Sequence, residues 1–326
     1  MKAMIIANFG GPEVFAEREL EKPLPGPREV LVRVHGSSVN PADLGARRGS
    51  AGPHAGLTLP AVLGFDVSGV IESVGLEVTT FAPGDAVYYT AGGAHGGGYA
   101  EYSVAAVDTI ARMPSNLSFT EAAAVPVAGG TAWAALISRA KLGIGETVLI
   151  HGGAGGVGSF AVQIAKAAGA FVFATCGAYD TERVSALGAD RVLDYRAGNF
   201  AKAILAETGG RGVDVSFTTV GGPTFVDSFA ATCEGGRVVT VTGPAPGMEA
   251  APFMAVGRNL TLHFVHLDDP RPKLSALCTL IERGCIKPLI SHTFPLTLVA
   301  EAHRRLEQGG EGVYGKIVID VAHEKS

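Results

Sequence analysis

The spacing of apolar residues changes twice along residues 147–176. A short apolar run at 147–150 gives way to a glycine-rich turn at 151–158. Apolar residues then recur at Val157, Phe160, Ala161, Ile164, Ala165 and Ala168, the spacing of one helix face. Gly169 stands where a helix C-terminus favours a residue free of the Cβ penalty. A second apolar run covers 171–176. The predicted order is strand, glycine-rich turn, helix, strand, and the rest of the chain is organised around it.

Upstream the texture is β. Strands are predicted at 1–7, 29–35, 62–74 and 99–104, with 83–90 a turn feeding another strand, and Pro23, Pro25 and Pro27 exclude a helix between the first two. Everything to about 113 reads as short strands and Gly/Pro turns, a small antiparallel barrel-like domain. Ser118 then caps a helix over 120–125 with Glu121 at the capping-box position, and 131–140 is an apolar helix. After the central stretch, helices at 181–187, 199–208 and 225–233 alternate with strands at 191–193, 213–217, 237–241 and 260–267. That alternation predicts an α/β fold with a doubly wound parallel sheet. A helix at 272–283 and a strand–helix–strand texture over 293–326 follow. The expected division is 1–120 with 268–326 as one β-rich domain and 121–267 as an inserted nucleotide domain, with a cofactor in the cleft between them.

Gly153, Gly155 and Gly158 fit G-x-G-x-x-G. The turn is tight, the backbone must approach a pyrophosphate, and the helix must pack on the strand. Amide N–H groups and the dipole at the helix N-terminus then face the phosphates. In a chain with 45 glycines among 326 residues the motif alone is weak. Its strand–turn–helix–strand setting makes it a dinucleotide site. NAD-specific sites place a carboxylate about 20 residues after the glycines. Here Cys176 and Gly177 stand there, and the absence of that carboxylate opens the pocket to a 2′-phosphate.

Composition narrows the partners. A hydrophobic content of 47% supports a substantial core, and a net charge of −5 without basic blocks argues against nucleic acid. Cys176, Cys233, Cys278 and Cys285 lack C-x-x-C spacing, so reduced thiols are expected rather than disulfides or structural zinc. No apolar run reaches about 18 residues. A soluble, cytoplasmic protein without a membrane partner is the expectation. Several residues have plain structural readings. His263 and His266, three apart in a predicted strand, face opposite sides. Cys278 and Cys285 read as isolated thiols, His95 as solvated, Tyr88 and Tyr89 as core or rim. Arg47 and Arg48 read as a solvated pair, and Asp66 as a carboxylate that holds its surroundings together.

An ordered set of segments carries a resemblance: NPADLGARRG (40–49), LPAVLGFDVSGVIESVG (59–75), PGDAVY (83–88), GGYAEYSV (97–104), GGTAWAAL (129–136), ETVLIHGGAGGVGSFAVQIAKAAGA (146–170), ALGADRVLDYR (186–196), GGRVVTVTG (235–243), NLTLHFV (259–265) and GKIVI (315–319). Together they resemble the medium-chain dehydrogenase/reductase superfamily, in its zinc-independent quinone oxidoreductase (zeta-crystallin-like) branch. The resemblance implies a GroES-like catalytic domain, a Rossmann domain, NADPH as cofactor and a homodimer, here paired through Leu260–Leu267 as an apolar edge strand. Zinc members carry ligands where this chain has Asn40, Phe65 and Val127, so no metal is expected.

By the same resemblance Asn40 reaches the nicotinamide ribose or the substrate, with no certain proton donor beside it. The cofactor-binding set is Asn40, Thr131, Gly153, Ala154, Gly155, Gly156, Val157, Gly158, Gly177, Tyr179, Arg183, Tyr195, Val220, Gly221, Val241, Thr242, Gly243 and Lys316. Tyr179 offers a hydrogen bond but no charge to a 2′-phosphate, Arg183 one helical turn on supplies the charge, and Tyr195 stacks on the adenine side. The expected activity is hydride transfer from NADPH to a quinone or an α,β-unsaturated carbonyl (enone or enal). Quinone-reducing members often carry tyrosines in the loop after the N-P-x-D segment. Residues 45–60 hold none, only Arg47, Arg48 and His54, so quinone and enone stay equal. The alternative is an NADPH-binding structural or redox-sensing protein with little turnover.

Overall fold

A computed structural model describes residues 1–50, 57–92, 97–243, 249 and 251–322. His54 and His95 lie outside the described residues. In chain order the elements are β1 (Lys2–Ile6), β2 (Phe15–Glu19), β3 (Glu29–Val39), α1 (Pro41–Arg48), β4 (Ala61–Val62), β5 (Asp66–Val74), β6 (Ala86–Thr90), β7 (Tyr102–Ala106), β8 (Ala111–Arg112), α2 (Phe119–Ala123) and α3 (Pro126–Trp133). The central part holds β9 (Thr147–His151), α4 (Gly156–Ala167), β10 (Phe171–Cys176), α5 (Thr181–Ala186), β11 (Arg191–Asp194), α6 (Phe200–Glu207), β12 (Val213–Thr218), α7 (Pro223–Ala231), β13 (Thr232–Thr240), α8 (Ala251–Gly257) and β14 (Thr261–Phe264). The chain closes with α9 (Pro270–Glu282), β15 (Ile290–Pro295), α10 (Val299–Gln308) and β16 (Lys316–Asp320). They form two compact units, residues 1–127 with 269–284 and 288–326, and residues 128–268 with 285–287.

In the first unit β3 is the spine, pairing antiparallel with β5, β7 and β16. The sheet order is β15-β16-β3-β5-β6-β8, and β2-β1-β4 form a smaller sheet. Val32, Val34, Val67, Ile71, Tyr89, Ile317 and Ile319 meet in one buried cluster. The capping box at Ser118 and Glu121 forms as its spacing predicts, opening α2 one residue earlier than expected.

One element overturns the sequence reading. Residues 41–48 are helix α1, not strand or turn. Pro41 suits the first helical position, Asn40 and Asp43 form a capping box, and Gly49 ends the helix at φ +68°. Only Leu44 and Ala46 among its buried residues are apolar, so no apolar stripe announces it. Its Arg47, read as solvated, is fully buried.

The second unit is one sheet of six parallel strands in the order β11-β10-β9-β12-β13-β14, with helices between successive strands. This is the doubly wound arrangement. Val148, Leu149 and Ile150 are all buried, without alternation, as in a parallel sheet covered on both faces. The edge strand β14 ends at Phe264, shorter than the expected 260–267, so His266 lies beyond the strand and strand alternation does not set it opposite His263. Helix α8 lies where the sequence pattern predicts no element.

Candidate active site

In the second unit the loop after β9 turns at Gly152, φ +70°. Gly153 N donates to Thr175 O at 2.9 Å, tying the turn to β10. The glycines are required for different reasons. A Cβ on Gly158 would sit 2.0 Å from the carbonyl oxygen of Gly152, so the first turn of α4 lies directly on the loop. A Cβ on Gly153 would press on Val184 and Ala174 at 3.1 and 3.2 Å. Gly155 is the N-cap of α4, where no side chain competes for the first N–H groups of that 12-residue helix. Ala154, Gly156 and Val157 complete this loop-to-helix passage. A helix N-terminus presented this way suits a pyrophosphate.

The other residues expected here gather at the same edge, the carboxyl ends of the strands. Thr218 Oγ1 accepts from Val220 N at 3.2 Å and Gly221 N at 3.4 Å, after β12. Val241 N donates to Thr218 O at 3.4 Å, and Thr242 Oγ1 lies 2.8 Å from Thr240 Oγ1, after β13. A Cβ on Gly243 would meet nothing within 4 Å. Its smallness is therefore not demanded by any described residue. Thr131 is nearly buried within α3.

At the last position of β9, His151 is buried with Nδ1 3.0 Å from Thr175 Oγ1 and Nε2 3.1 Å from Ser228 Oγ. Ser228 gives its own hydrogen to Thr224 O at 2.6 Å, so Nε2 carries the ring proton and donates to it. Burial pushes the His151 pKa down to about 3.

Beyond β10, Gly177 leads to Tyr179, and the two tyrosines share a partner absent from the sequence reading. Arg196 Nη1 donates to Tyr179 Oη at 2.6 Å and its Nε to Tyr195 Oη at 3.1 Å. The guanidinium carbon sits 5.6 and 5.2 Å from the two ring centroids, cation–π range. Arg183 behaves differently: it is ion-paired with Asp180, three residues back, so its charge is partly answered within its own turn. The signal for Arg196 was available, since it directly follows Tyr195 in a strand-end segment.

The first unit holds a buried charged cluster around Asn40, the N-cap of α1. Lys316, the first residue of β16, donates from Nζ to Asn40 Oδ1, to Asp66 Oδ2 at 3.1 Å and to Val39 O at 3.3 Å. Asn40 Nδ2 donates to Asp66 Oδ2 at 2.8 Å and to Asp43 Oδ2 at 3.1 Å. An ammonium only donates and a carboxylate only accepts, so the Asn40 amide has one possible orientation. Ser38 Oγ also donates to Asp66 Oδ2, while Asp66 Oδ1 accepts from Val127 N at 2.7 Å. Asp43 accepts from Asn40 N at 2.8 Å and from Gly64 N and Phe65 N, both at 3.1 Å. Burial, and then the neighbouring Asp66 carboxylate, raise the Asp43 pKa to about 7, against the pull of Asn40 and Lys316.

Two consequences follow. Both N–H bonds of the Asn40 amide and all three of the Lys316 ammonium are used within the cluster, so neither has a donor left to polarise a substrate carbonyl. What Asn40 retains is acceptor capacity at Oδ1. The cluster also does not suit zinc. Phe65 and Val127 have no donor atoms in their side chains, the Asn40 oxygen already receives a cation, and zinc wants nitrogen or sulfur ligands. Among the described residues no group of three or more His, Cys, Asp or Glu could hold a metal ion.

Comparison with known proteins agrees with this architecture. The alcohol dehydrogenase GroES-like domain family matches residues 26–115, and the zinc-binding dehydrogenase family matches 187–319. The chain is 34% identical to human quinone oxidoreductase over 326 residues, 98% of this chain and 97% of that protein. A solved structure described as an NAD-dependent alcohol dehydrogenase superposes with a TM-score of 0.91 at 34% identity, covering 99% of this chain and 100% of its own. A mycobacterial protein solved in complex with NADPH superposes with a TM-score of 0.87 at 29% identity, covering 98% and 100%. A β-rich unit that carries an Asn40–Lys316 cluster and a doubly wound sheet that carries a glycine-rich turn together define a nucleotide-dependent oxidoreductase. The chain belongs to the medium-chain dehydrogenase/reductase superfamily, in its zinc-independent quinone oxidoreductase branch. It is an NAD(P)H-type oxidoreductase.

Proposed function

We propose that the protein reduces a quinone or an α,β-unsaturated carbonyl with NADPH and without a metal ion. The observation that carries this reading is the closed donor inventory around Asn40. An alcohol or simple ketone needs a Lewis acid or a positioned donor to stabilise oxyanion charge. Asn40 and Lys316 have no donor to give. An acceptor that is electron-poor already needs neither. A quinone or enone is such an acceptor: it takes a hydride at carbon, and the resulting oxyanion or enolate takes its proton from water. Bound NADPH supplies the hydride. Asn40 Oδ1 contributes by accepting a hydrogen bond from a ligand hydroxyl or amide, which orients the ligand.

The nucleotide is held by Gly153–Gly158 and the N-terminus of α4, flanked by Gly177, Val220, Gly221, Val241, Thr242 and Gly243, with Thr131 as a further contributor. The preference for NADPH rests on Tyr179, Tyr195 and Arg196: two hydroxyls and one guanidinium meet beside the end of β10, where Cys176 and Gly177 replace a carboxylate. Arg196 takes the charge role that the sequence suggested for Arg183.

A homodimer through β14 is part of the reading. This strand ends the sheet order, and Phe264 on it and Phe253 and Val256 on α8 are exposed. So is a cytoplasmic location, consistent with four free cysteines. Among the described residues no helix is long and apolar enough to cross a membrane. The test is NADPH oxidation with a panel of quinones, enones, enals, ketones and aldehydes. Turnover confined to the first three supports the reading, and turnover of simple ketones or aldehydes refutes it.

A further inference from the structure

We propose that Tyr99 and His303 are positioning residues for Asn40, acting through a buried hydrogen-bond chain of fixed direction that runs from Arg47 to Ser38. The proposal rests on the reading that Asn40 meets a ligand. Arg47, His303, Tyr99, Ser38 and Asp66 are all fully buried in the first unit, far too many polar groups for a packing role alone.

The direction of the chain follows from its first member. Arg47 stands in the last turn of α1, pairs with Glu307 of α10 and donates from Nε to Gly10 O at 3.1 Å. Its Nη1 lies 3.2 Å from His303 Nδ1. A guanidinium can only donate, so Nδ1 accepts and the ring proton sits on Nε2. Nε2 lies 3.0 Å from Tyr99 Oη and donates to it. The Tyr99 hydroxyl hydrogen is then left for Ser38 O at 3.2 Å. No link can be reversed while Arg47 is present. Protonating His303 would set donor against donor, in keeping with a pKa that burial and Arg47 lower to about 3.

The chain returns to where it began. Ser38 Oγ donates to Asp66 Oδ2, the same oxygen that takes Asn40 Nδ2 at 2.8 Å. Asn40 is the N-cap of α1 and Arg47 lies in its last turn, so both ends of one eight-residue helix are fastened through His303, Tyr99, Ser38 and Asp66. Tyr99 also packs against the Asp43 side of the cluster. A Cβ on Gly64, whose N–H donates to Asp43, would come within 2.7 Å of the Tyr99 ring. Phe15 and Tyr99 meet the His303 ring edge-on, at 4.8 and 5.6 Å between centroids, which holds the imidazole plane. The corner at Ser38–Asn40 is thus set by side chains from α10 and the segment before β7, not only by its own sheet.

The experiment pairs Tyr99→Phe, which deletes one hydroxyl, with Asn40→Ala. Tyr99→Phe is expected to lower kcat/KM for the acceptor about 10-fold in the otherwise unaltered chain and to cost nothing more in the Asn40→Ala background. His303→Gln, which can accept from Arg47 and donate to Tyr99, is expected to retain most of kcat/KM, whereas His303→Leu loses as much as Tyr99→Phe. In the ligand-free protein the Asn40 side-chain amide resonance, observed after selective asparagine labelling, is expected to move in Tyr99→Phe and His303→Leu and to stay in place in His303→Gln. Equal fold-losses from Tyr99→Phe in both backgrounds overturn the proposal, as does an unmoved Asn40 resonance. Should Tyr99→Phe not fold, equal damage from His303→Gln and His303→Leu overturns it. An Asn40→Ala variant with undiminished kcat/KM overturns the proposed role of Asn40 as well.

Discussion

Lys316 donates from Nζ to Asn40 Oδ1, and that bond decides which way the Asn40 amide faces. The lysine lies 276 positions away in sequence, on the last strand, yet it occupies the role of a cation beside the residue that stands at a zinc-ligand position. Lys316 and Asp66 are both almost wholly buried, and removing one member of such a pair leaves an uncompensated charge. Lys316→Met is expected to destabilise the protein by about 3 kcal/mol, read as a lower urea midpoint. A midpoint equal to that of the unaltered chain would show that the cluster tolerates its carboxylates without the lysine.

Cofactor choice separates two arginines. Arg196 holds both tyrosine hydroxyls, whereas Arg183 is ion-paired with Asp180. A preference for NADPH over NADH of about 10–100-fold in kcat/KM is expected, and Arg196→Ala should reduce it about 10-fold through loss of affinity for NADPH. Arg183→Ala should leave the ratio within about twofold. The reverse ranking of the two variants would return the charge role to Arg183.

The glycines make a paired prediction. Gly158→Ala drives a methyl group to within 2.0 Å of the Gly152 carbonyl oxygen and is expected to cost about 1–3 kcal/mol of stability. A Cβ on Gly243 meets nothing among the described residues, so the thermal midpoint of Gly243→Ala should match that of the unaltered protein while the dissociation constant for NADPH, followed by nucleotide fluorescence, rises. Tight nucleotide binding by Gly243→Ala would remove that position from the site.

How much of this was legible in the sequence depends on distance along the chain. The glycine-rich turn, α4 and the capping box at Ser118 are local patterns, and their periodicity and end signals sufficed. Helix α1 was hidden because Pro41, Gly45, Arg47 and Arg48 interrupt any apolar stripe. The burial of Arg47 depends on His303 and Glu307, 256 and 260 residues away, which no local pattern reports. Lys316 entered only through family resemblance, for the same reason. Arg196 was overlooked although it adjoins Tyr195, because its role appears only when β10 and β11 bring the two tyrosines together.

Acid stability follows from the buried histidines. His151 and His303 have folded pKa values near 3, below the ordinary 6.5, so the folded state binds fewer protons than the unfolded state between those values. Their contribution is complete above pH 6.5 and is lost as pH falls toward 3. Asp43, raised from 3.8 to about 7, works in the opposite sense: the folded state binds the extra proton, and this group's contribution declines as pH rises across that window. Two histidines against one carboxylate leave a net loss on acidification. From about pH 6.5 down to 5 the unfolding free energy from urea titrations should fall by about 1.4 kcal/mol per unit overall, the two histidines less the one carboxylate, and His303→Gln should remove about that much of the slope. An unaltered slope in that variant would mean that His303 does not remain neutral in the folded protein.

The decisive assay is NADPH-dependent reduction of a quinone or an enone by protein freed of metal through exhaustive chelation, with residual zinc measured by elemental analysis. Asn40, Phe65 and Val127 at the ligand positions, and Lys316 bonded to Asn40, lead to undiminished turnover at zinc contents far below one per chain. Turnover that disappears with chelation and returns on adding zinc would contradict the account.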